Sequence, residues 1–391
     1  MRTILHIPSW FPTNKDTISG IFVKKMIEAI ALDPNYKHIV LVWHESEFIS
    51  LRKPFNFLRK CYKFITTPKI TTTTHNNITI ININVFQSNP RIFGDNENRI
   101  FKTIIRKIIR SYKIDLVHAH VSYIAGKFAY DIYKMTGISF IISEHMSPFP
   151  FRNFSEKVKD IIKKTVSSSF CVVSVSEYQE KEIQSFSKCN TIVIPNVVNE
   201  LEFNVIKSDT ENKFFTFITV GLISEAKGLD ILLKAILLLR VHYNKFVRVK
   251  ICGDGVILNQ LIDFSKEIGV FDNIVWLGAI PRDQIRNELL SSDAYVCSSR
   301  HESFGVAPIE AMACGLPIVS TRCGGPQEYI NETTGILVTN KDEVDLARGL
   351  NEIIEKIEEY DSQKIRDYYL SHFSSLVICK KYINLYKRIF G

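Results

Sequence analysis

The sequence predicts an α/β protein with two parallel β-sheets, each covered by helices on both faces. Short apolar strands alternate with helical segments in two successive series along the chain. A polar stretch at residues 195–212 separates the two series. The chain of 391 residues is long for one hydrophobic core and suits two domains of under about 200 residues each.

The first series begins with a strand at 3–7, followed by a loop and a helix at about 21–32. Its other predicted strands are 38–43, 78–83, 116–118, 140–143 and 171–175. The second series has predicted strands at 215–221, 247–252, 274–277, 294–297 and 317–320. The last helical region, about 375–390, is aromatic and basic.

Composition excludes several classes of protein. Hydrophobic residues make up 46% of the chain and charged residues 23%, as in an ordinary soluble protein. No run of about 18 uncharged apolar residues occurs, so we expect no membrane-spanning helix. The first residues enter a strand pattern directly, which predicts no signal peptide and a cytoplasmic location. The eight cysteines form no C-x-x-C pair, so we expect reduced thiols and neither zinc nor disulfides.

Charge is uneven along the chain. Residues 1–200 contain 27 Lys and Arg against 16 Asp and Glu, and the remainder 22 against 25. A basic first half predicts a polyanionic partner, for which nucleic acid, an anionic membrane surface and a diphosphate-linked acceptor are candidates. No aromatic readout motif supports nucleic acid. Residues 52–69 and 101–113 mix cations with aromatic rings and suit a membrane surface or a packed helix with a basic face; helical spacing favours the packed helix for 101–113.

The most informative segment is 298–329, where two carboxylates lie on either side of a short glycine-containing turn. Glu302 precedes the turn, and Glu310 lies inside a helix predicted from Pro308 to 313 and ended by Gly315. Free N–H groups at the helix start form an anion site, and Gly305 allows a ligand to approach the backbone. A carboxylate just inside the helix can accept two sugar hydroxyls. Phosphate donors and hydroxyl acceptors together indicate a site for a nucleotide sugar.

This segment resembles the donor-site signature of glycosyltransferase family 4, retaining enzymes with the GT-B fold. The shared pattern is two acids separated by seven residues, with Phe-Gly after the first and Glu-Ala-Met-Ala around the second. The likeness covers most of the chain and is weakest between about residues 45 and 110. The stretch PSWFP…SGIF is similar to members that build bacterial capsule, O-antigen or exopolysaccharide.

The resemblance implies two Rossmann-like domains that face each other across a cleft. Residues 1–200 would bind the acceptor, and residues 201–372 would bind the donor. The terminal helix, about 373–391, would cross back to the first domain.

For the donor, the resemblance implies a glycine loop at Gly221 with Lys227 as a cation for the diphosphate. The family usually has Arg after that glycine, whereas this chain has Leu222, which predicts weaker or altered donor electrostatics. A second glycine loop contains Gly253. Backbone groups at Ala279 and Ile280 would read the nucleobase.

Backbone N–H groups near Gly20 and in the turn Phe304, Gly305 and Val306 would bind the diphosphate from opposite sides of the cleft. Glu310 would hold the ribose, and Glu302 would contact the donor sugar.

At the end of a first-half strand, the resemblance places His120 near the reacting sugar carbon and leaves His118 facing the core. Glu144 and His145, after the following strand, would line the acceptor pocket. The implied catalytic set is therefore His120, Glu302 and Lys227. The family retains anomeric configuration, and without a convincingly placed Asp-x-Asp motif we expect no required metal.

The expected donor is a UDP-, GDP- or ADP-sugar, and the expected acceptor is a glycan or a polyprenyl-diphosphate-linked sugar. The basic first half suits peripheral contact with the cytoplasmic face of an anionic membrane. Two alternatives remain open. One is a nucleotide-sugar epimerase, and the other, suggested by Leu222, is a module that binds nucleotide sugar without transferring it. A nicotinamide oxidoreductase fits poorly because no G-x-G-x-x-G lies between a strand and a helix.

Overall fold

The computed structural model describes residues 1–12, 19–45, 70–85, 97–203 and 214–391. Within them, the first half of the chain forms an eight-stranded sheet in the spatial order β3-β4-β2-β1-β5-β6-β7-β8. Its strands are β1 (Arg2–Pro8), β2 (Tyr36–Glu45), β3 (Ile70–His75), β4 (Ile78–Val85), β5 (Leu116–His120), β6 (Phe140–Ser143), β7 (Val172–Ser174) and β8 (Thr191–Val193). Its helices are α1 (Ile21–Ile30), α2 (Glu97–Tyr112), α3 (Ala125–Thr136), α4 (Glu156–Ser168) and α5 (Glu177–Phe186).

The second half forms a six-stranded parallel sheet in the order β11-β10-β9-β12-β13-β14. Its strands are β9 (Phe215–Val220), β10 (Val247–Cys252), β11 (Ile274–Gly278), β12 (Ala294–Cys297), β13 (Ile318–Thr321) and β14 (Gly335–Val338). The helices are α6 (Leu229–Tyr243), α7 (Leu258–Glu267), α8 (Arg282–Leu290), α9 (Val306–Ala313), α10 (Glu343–Glu355), α11 (Ser362–Phe373) and α12 (Ser375–Phe390). The predicted α/β class with two parallel sheets is confirmed, with one antiparallel edge strand, β3, in the first sheet.

Three strands lie outside the prediction, each for a physical reason. Strand β3 pairs antiparallel with β4 at the sheet edge, and all of its residues are exposed, so its sequence ITTTTH carries no apolar alternation. Strand β8 has three residues and β14 has four. Such short segments give too few residues for a period of two to be recognised.

Helix α12 joins the end of the chain to the first half, as predicted. Its apolar stripe, which includes Ile378, Tyr382 and Tyr386, packs in the same core cluster as α1 and one face of the first sheet. Two tyrosines also bond to that sheet. The hydroxyl of Tyr386 lies 2.8 Å from Nδ1 of His118, and that of Tyr382 lies 2.9 Å from Oγ of Ser143. The helix is thus fixed by both apolar burial and buried hydrogen bonds.

The predicted membrane segments have different outcomes. Residues 52–69 lie outside the described residues. Ile105 and Ile108 of helix α2 are buried in a hydrophobic core of the first half. This is the packed-helix arrangement that the spacing favoured. Among the described helices, none has the length and apolarity needed to cross a bilayer. The cysteines of the described ranges are free thiols. The proposed boundary between domains stays a prediction, and residues 204–213 at that boundary are not described.

Tyr386→Phe tests the attachment of α12. Removing the hydroxyl leaves a fully buried nitrogen of His118 without its partner, so the free energy of unfolding should fall by about 1–3 kcal/mol. Urea unfolding measures the change. Tyr133→Phe, at a tyrosine that is 39% exposed on α3, is the matched control and should be nearly neutral. An equal effect of both substitutions would contradict a hydrogen-bonded attachment.

Candidate functional site

The acid-flanked turn is held rigidly at the carboxyl end of β12. Glu302 forms a bridge with Gly324, and its N–H donates to the carbonyl of Cys323 at 2.8 Å. The hydroxyl of Tyr329 donates to the carbonyl of Phe304 at 2.9 Å. Gly305 has φ 82°, and a Cβ there would lie 2.8 Å from that hydroxyl. The turn therefore requires glycine, and its backbone has little freedom.

Helix α9 begins at Val306, two residues before the predicted start, so Pro308 is its third residue. Proline is tolerated there because it still lies in the first turn, where N–H groups have no helical partner. Phe304 is 3% exposed and packs in the core, so only its backbone is available to a ligand. Glu310 lies one turn into the helix and is 4% exposed.

Glu302 is paired with a cation from the first glycine loop of the second half. Nζ of Lys227 lies 2.5 Å from Oε1 of Glu302, and the hydroxyl of Ser299 donates to the same oxygen at 2.9 Å. Burial would lower the pKa of Lys227, but the charge and hydrogen bond of Glu302 outweigh it and raise that pKa. The lysine is therefore a permanent cation at the start of the acidic turn.

Glu310 is paired with a second cation, Arg282, at the start of α8. Nη2 of Arg282 lies 2.5 Å from Oε1 of Glu310, and its Nε lies 3.3 Å from Glu202. Glu202 in turn forms an ion pair with Lys25 of α1. Burial raises the pKa of Glu310, and Arg282 opposes that rise. A chain of alternating charges therefore joins the first half to the turn.

The glycine loops of the second half lie against each other beside Lys227. A Cβ on Gly253, with φ 153°, would lie 1.9 Å from the carbonyl oxygen of Gly221, so a side chain is excluded there. Leu222 is 69% exposed and supplies no cation. Ala279 is exposed and Ile280 half-buried in the loop after β11.

In the first half, Gly20 caps the start of α1, as the sequence suggested. His120 ends β5 and is 0% exposed; its Nε2 lies 3.1 Å from Nδ1 of His6. The backbone immediately after it is strained. Val121 has φ 81° and Ile124 has φ 63°, values that cost β-branched residues about 1 kcal/mol or more each. Such strain is common beside ligand sites.

Glu144 holds two loops together and does not face open space. It is 0% exposed, and its carboxylate accepts from the N–H groups of Ser122 at 3.0 Å, His145 at 2.8 Å and Met146 at 2.9 Å. His145 packs its ring 4.6 Å from that of Phe22, and burial lowers its pKa to about 3. This geometry gives Glu144 a structural task, and the acceptor pocket expected at these two residues stays a prediction.

A cavity of about 950 Å³ lies between the two halves, on the α6 and α7 side of the second sheet. The residues that line it include Phe151, Arg152, Asp230, Lys234, Leu261, Phe264, Arg300 and His301. It adjoins Glu302 through Arg300 and His301. Neither Glu144 nor His145 is among its lining residues.

Contacts between the halves involve the loop that carries Glu302 and the nearby segment that carries Glu328. The hydroxyl of Ser176 donates to the carbonyl of Ser303 at 2.5 Å, and the N–H of Ser303 donates to Oγ of Ser147 at 3.1 Å. The carboxylate of Glu328 accepts from the first two N–H groups of α5, at 2.9 and 2.7 Å. The first half thus positions the turn from across the cleft.

Three histidines of the described chain have ring nitrogens within 4.8 Å of one another, namely His6, His118 and His120. They fit a metal ion poorly. Both nitrogens of His118 already bond to hydroxyls, 2.8 Å from Tyr386 and 2.7 Å from Ser143.

Two family models match the chain. The family model described as Glycosyltransferase Family 4 matches residues 63–200, and that described as Glycosyl transferases group 1 matches residues 201–367. An uncharacterized glycosyltransferase of Methanocaldococcus jannaschii is 28% identical over 250 residues, which are 64% of this chain and 68% of the relative. A phosphatidylinositol N-acetylglucosaminyltransferase subunit of Arabidopsis thaliana is 25% identical over 265 residues, 64% of this chain but only 57% of that relative.

Solved structures share the whole fold. Sucrose-phosphate synthase from Thermosynechococcus elongatus has a TM-score of 0.76 at 17% identity, with 100% of this chain and 99% of the synthase covered. The Anabaena protein HepE in complex with UDP has a TM-score of 0.71 at 16% identity, with 99% of this chain and 100% of HepE covered. At these identities the likeness establishes the architecture alone.

Sequence reasoning missed the residues that hold Glu310 from outside the motif. Arg282 directly follows Pro281 at a helix start, next to the segment expected to read the base, and that position was the available signal. Glu202 lies in the polar boundary stretch, and Lys25 lies 177 residues before it. Ion pairs at such separations leave no pattern in a single sequence.

Arg282→Gln should destabilise the protein more at pH 8 than at pH 5.5. Without the guanidinium, burial raises the folded-state pKa of Glu310 further above its unfolded value of about 4.3. Stability is then lost as pH rises from about 4.3 through the raised folded value, because the unfolded carboxyl ionises more easily. Since Arg282 is 40% exposed, the loss at pH 8 should be about 1–3 kcal/mol.

Chemical unfolding at the two pH values measures this difference. Arg282→Lys keeps a cation and should show a smaller dependence on pH. A loss of the same size at both pH values would contradict the assigned role of the ion pair.

Proposed function

We propose that this chain, which belongs to glycosyltransferase family 4, binds a nucleotide sugar at the turn between Glu302 and Glu310. It would then transfer the sugar to a hydroxyl of a glycan or lipid-linked acceptor. The chain is a nucleotide-sugar-dependent glycosyltransferase; the binding mode, the residue roles and the acceptor are the proposal. One observation supports it most. Lys227 of the first glycine loop, the N-terminus of α9 and the buried carboxylate of Glu310 meet at one turn, which contacts the other half of the chain.

The diphosphate would bind between Lys227 and the free N–H groups at the start of α9, where the helix dipole favours negative charge. The N–H groups at Gly20 would approach from the start of α1. Lys227 is already 2.5 Å from Glu302, so the donor would share this lysine with the acid. Leu222 adds no charge, which leaves Lys227 as the main side-chain cation of the two glycine loops.

The nucleoside would lie along α9. Glu310 would accept hydrogen bonds from the ribose hydroxyls, and backbone groups at Gly253, Ala279 and Ile280 would contact the base. Arg282 occupies one oxygen of Glu310 in this structure, and a carboxylate can accept several further bonds. The UDP in the Anabaena HepE structure supports a UDP-sugar as the first donor to examine.

The sugar would lie between Glu302 and His120. Transfer requires a stabilised leaving diphosphate and a positively charged sugar carbon, so positioning and electrostatics supply most of the rate. The family resemblance implies retention, with the acceptor attacking the face that the nucleotide leaves. The catalytic residues would be His120, Glu302 and Lys227.

The acceptor would enter through the cavity between the two halves, next to Glu302. Its cations, among them Arg152 and Arg300, suit an anionic group, and Phe151 and Phe264 suit an apolar one. Together with the basic first half, they support a polyprenyl-diphosphate-linked sugar at the cytoplasmic membrane face. Surface-polysaccharide assembly in bacteria is the pathway class that this acceptor chemistry favours.

Glu310→Ala should reduce turnover at least about 100-fold, because the ribose loses its acceptor and the sugar its alignment. Steady-state kinetics with the preferred donor measures the loss. Glu355→Ala, which removes an exposed acid of α10, is the control and should leave the kinetics unchanged. Near-normal turnover in Glu310→Ala would refute the ribose assignment.

Donor identity can be tested by thermal unfolding with UDP-, GDP- and ADP-sugars. A ligand that binds only the folded state at 100 times its Kd adds about 2.7 kcal/mol, so the correct donor should raise Tm by several degrees. We expect UDP-sugars to do so, and Glu310→Ala to abolish the shift. Binding without transfer to any acceptor would favour the non-catalytic alternative, and epimerised free donor would favour the epimerase.

A further inference from the structure

A buried polar seam crosses the first sheet on the face that α1 and α12 cover. In the parallel register His6 lies beside His118, and His38 lies beside Ile4, so these side chains point to the same face. His120, two residues after His118, shares that face. All four histidines are 0% exposed. Four imidazoles in an apolar core need hydrogen-bond partners, because an unpaired buried polar group is costly.

Three of these rings form one continuous chain of hydrogen bonds. Nδ1 of His38 lies 2.9 Å from Nε2 of His6, and Nδ1 of His6 lies 3.1 Å from Nε2 of His120. His118 stays outside the chain because its two nitrogens bond to Ser143 and Tyr386, although its ring centroid is 4.4 Å from that of His120.

Burial keeps the chain neutral. Desolvation lowers the pKa of His38 to about 4, and desolvation with the neighbouring rings lowers the pKa of His6 and His120 well below the usual value. A neutral imidazole has one donor and one acceptor nitrogen. His6 uses both nitrogens, so it must donate to one neighbour and accept from the other.

It follows that the protons of the chain all point in one direction. In one case His6 donates to Nε2 of His120, which then carries its proton on Nδ1. In the other, Nε2 of His120 donates to His6, and Nδ1 of His120 is unprotonated. In both cases His6 determines which nitrogen of His120 is protonated. Nδ1 of His120 and Nε2 of His38 are the two ends of the chain, and neither has a hydrogen-bond partner among the described residues.

We propose that His6 is a positioning residue for His120. Its hydrogen bond to Nε2 of His120 leaves Nδ1 as the nitrogen that bonds to a hydroxyl of the donor sugar. Binding of the sugar then sets the tautomers of His120, His6 and His38 together. This inference rests on the proposed function only for the identity of the ligand at Nδ1. The strained backbone at Val121 and Ile124 adjoins that end of the chain.

Ring-nitrogen NMR of protein labelled with ¹⁵N-histidine reports the tautomer of each ring directly. In the wild type with a UDP-sugar bound, His6, His38 and His120 should each show one neutral tautomer from pH 6 to 8. His6→Leu fills a similar volume without hydrogen bonds, and His120 should then show a mixture of tautomers. Tyr382→Phe removes a hydroxyl from the same seam but outside the chain, and should leave the tautomers unchanged.

Kinetics provides a second, independent readout. His6→Leu should lower kcat at least tenfold with little change in KM, and should cause no further loss in a His120→Gln background, because His6 acts only through His120. His6→Gln keeps one donor and one acceptor and should recover part of kcat. If His6→Leu does not fold, His6→Met, which also lacks hydrogen-bonding groups, carries both measurements.

Four results would overturn the proposal. They are unchanged His120 signals in a folded His6 variant, additive kinetic losses in the double variant, charged rings between pH 6 and 8, and stoichiometric metal in the purified protein that these histidines bind. Absence of transfer with every donor would count against the proposed function alone, since the NMR result does not depend on turnover.

Discussion

Two ion pairs hold the carboxylates of the acid-flanked turn where little water reaches them. Glu302 is bound by Lys227, and Glu310 is bound by Arg282. Removing Arg282 would leave Glu310 as a buried acid whose pKa is raised by desolvation, and a protonated acid is a poorer acceptor for sugar hydroxyls. The acid-flanked turn therefore carries two ion pairs, and the proposed binding of a sugar nucleotide depends on both cations.

The rest of the fold positions that turn. His120 and the acid-flanked turn each lie at the carboxyl end of a parallel strand. Hydrogen bonds join Ser303 of the turn to Ser147 and Ser176 of the first half, and join Glu328 to the start of α5. Helix α12 returns to the first sheet and places tyrosine hydroxyls on its polar seam. The ion pair of Lys25 with Glu202 extends the charge network from the donor turn to the same half.

The sequence predicted the fold and located the acid-flanked turn, because both depend on local patterns. The terminal helix was placed at 375–390, as found, since its apolar stripe repeats every three to four residues. Exposed β3 was missed because a strand without a buried face has no alternation. Arg282 and His6 were missed because their roles arise from pairing between distant segments. The loop-clamping role of Glu144 depends on backbone N–H groups, which leave no trace in residue types.

A crystal structure with a bound UDP-sugar is the most direct test of the central claim. The account predicts the ribose hydroxyls on Glu310, the diphosphate between Lys227 and the first N–H groups of α9, and the sugar between Glu302 and His120. A nucleotide bound elsewhere, with both ion pairs of the turn unchanged from the ligand-free arrangement, would contradict it.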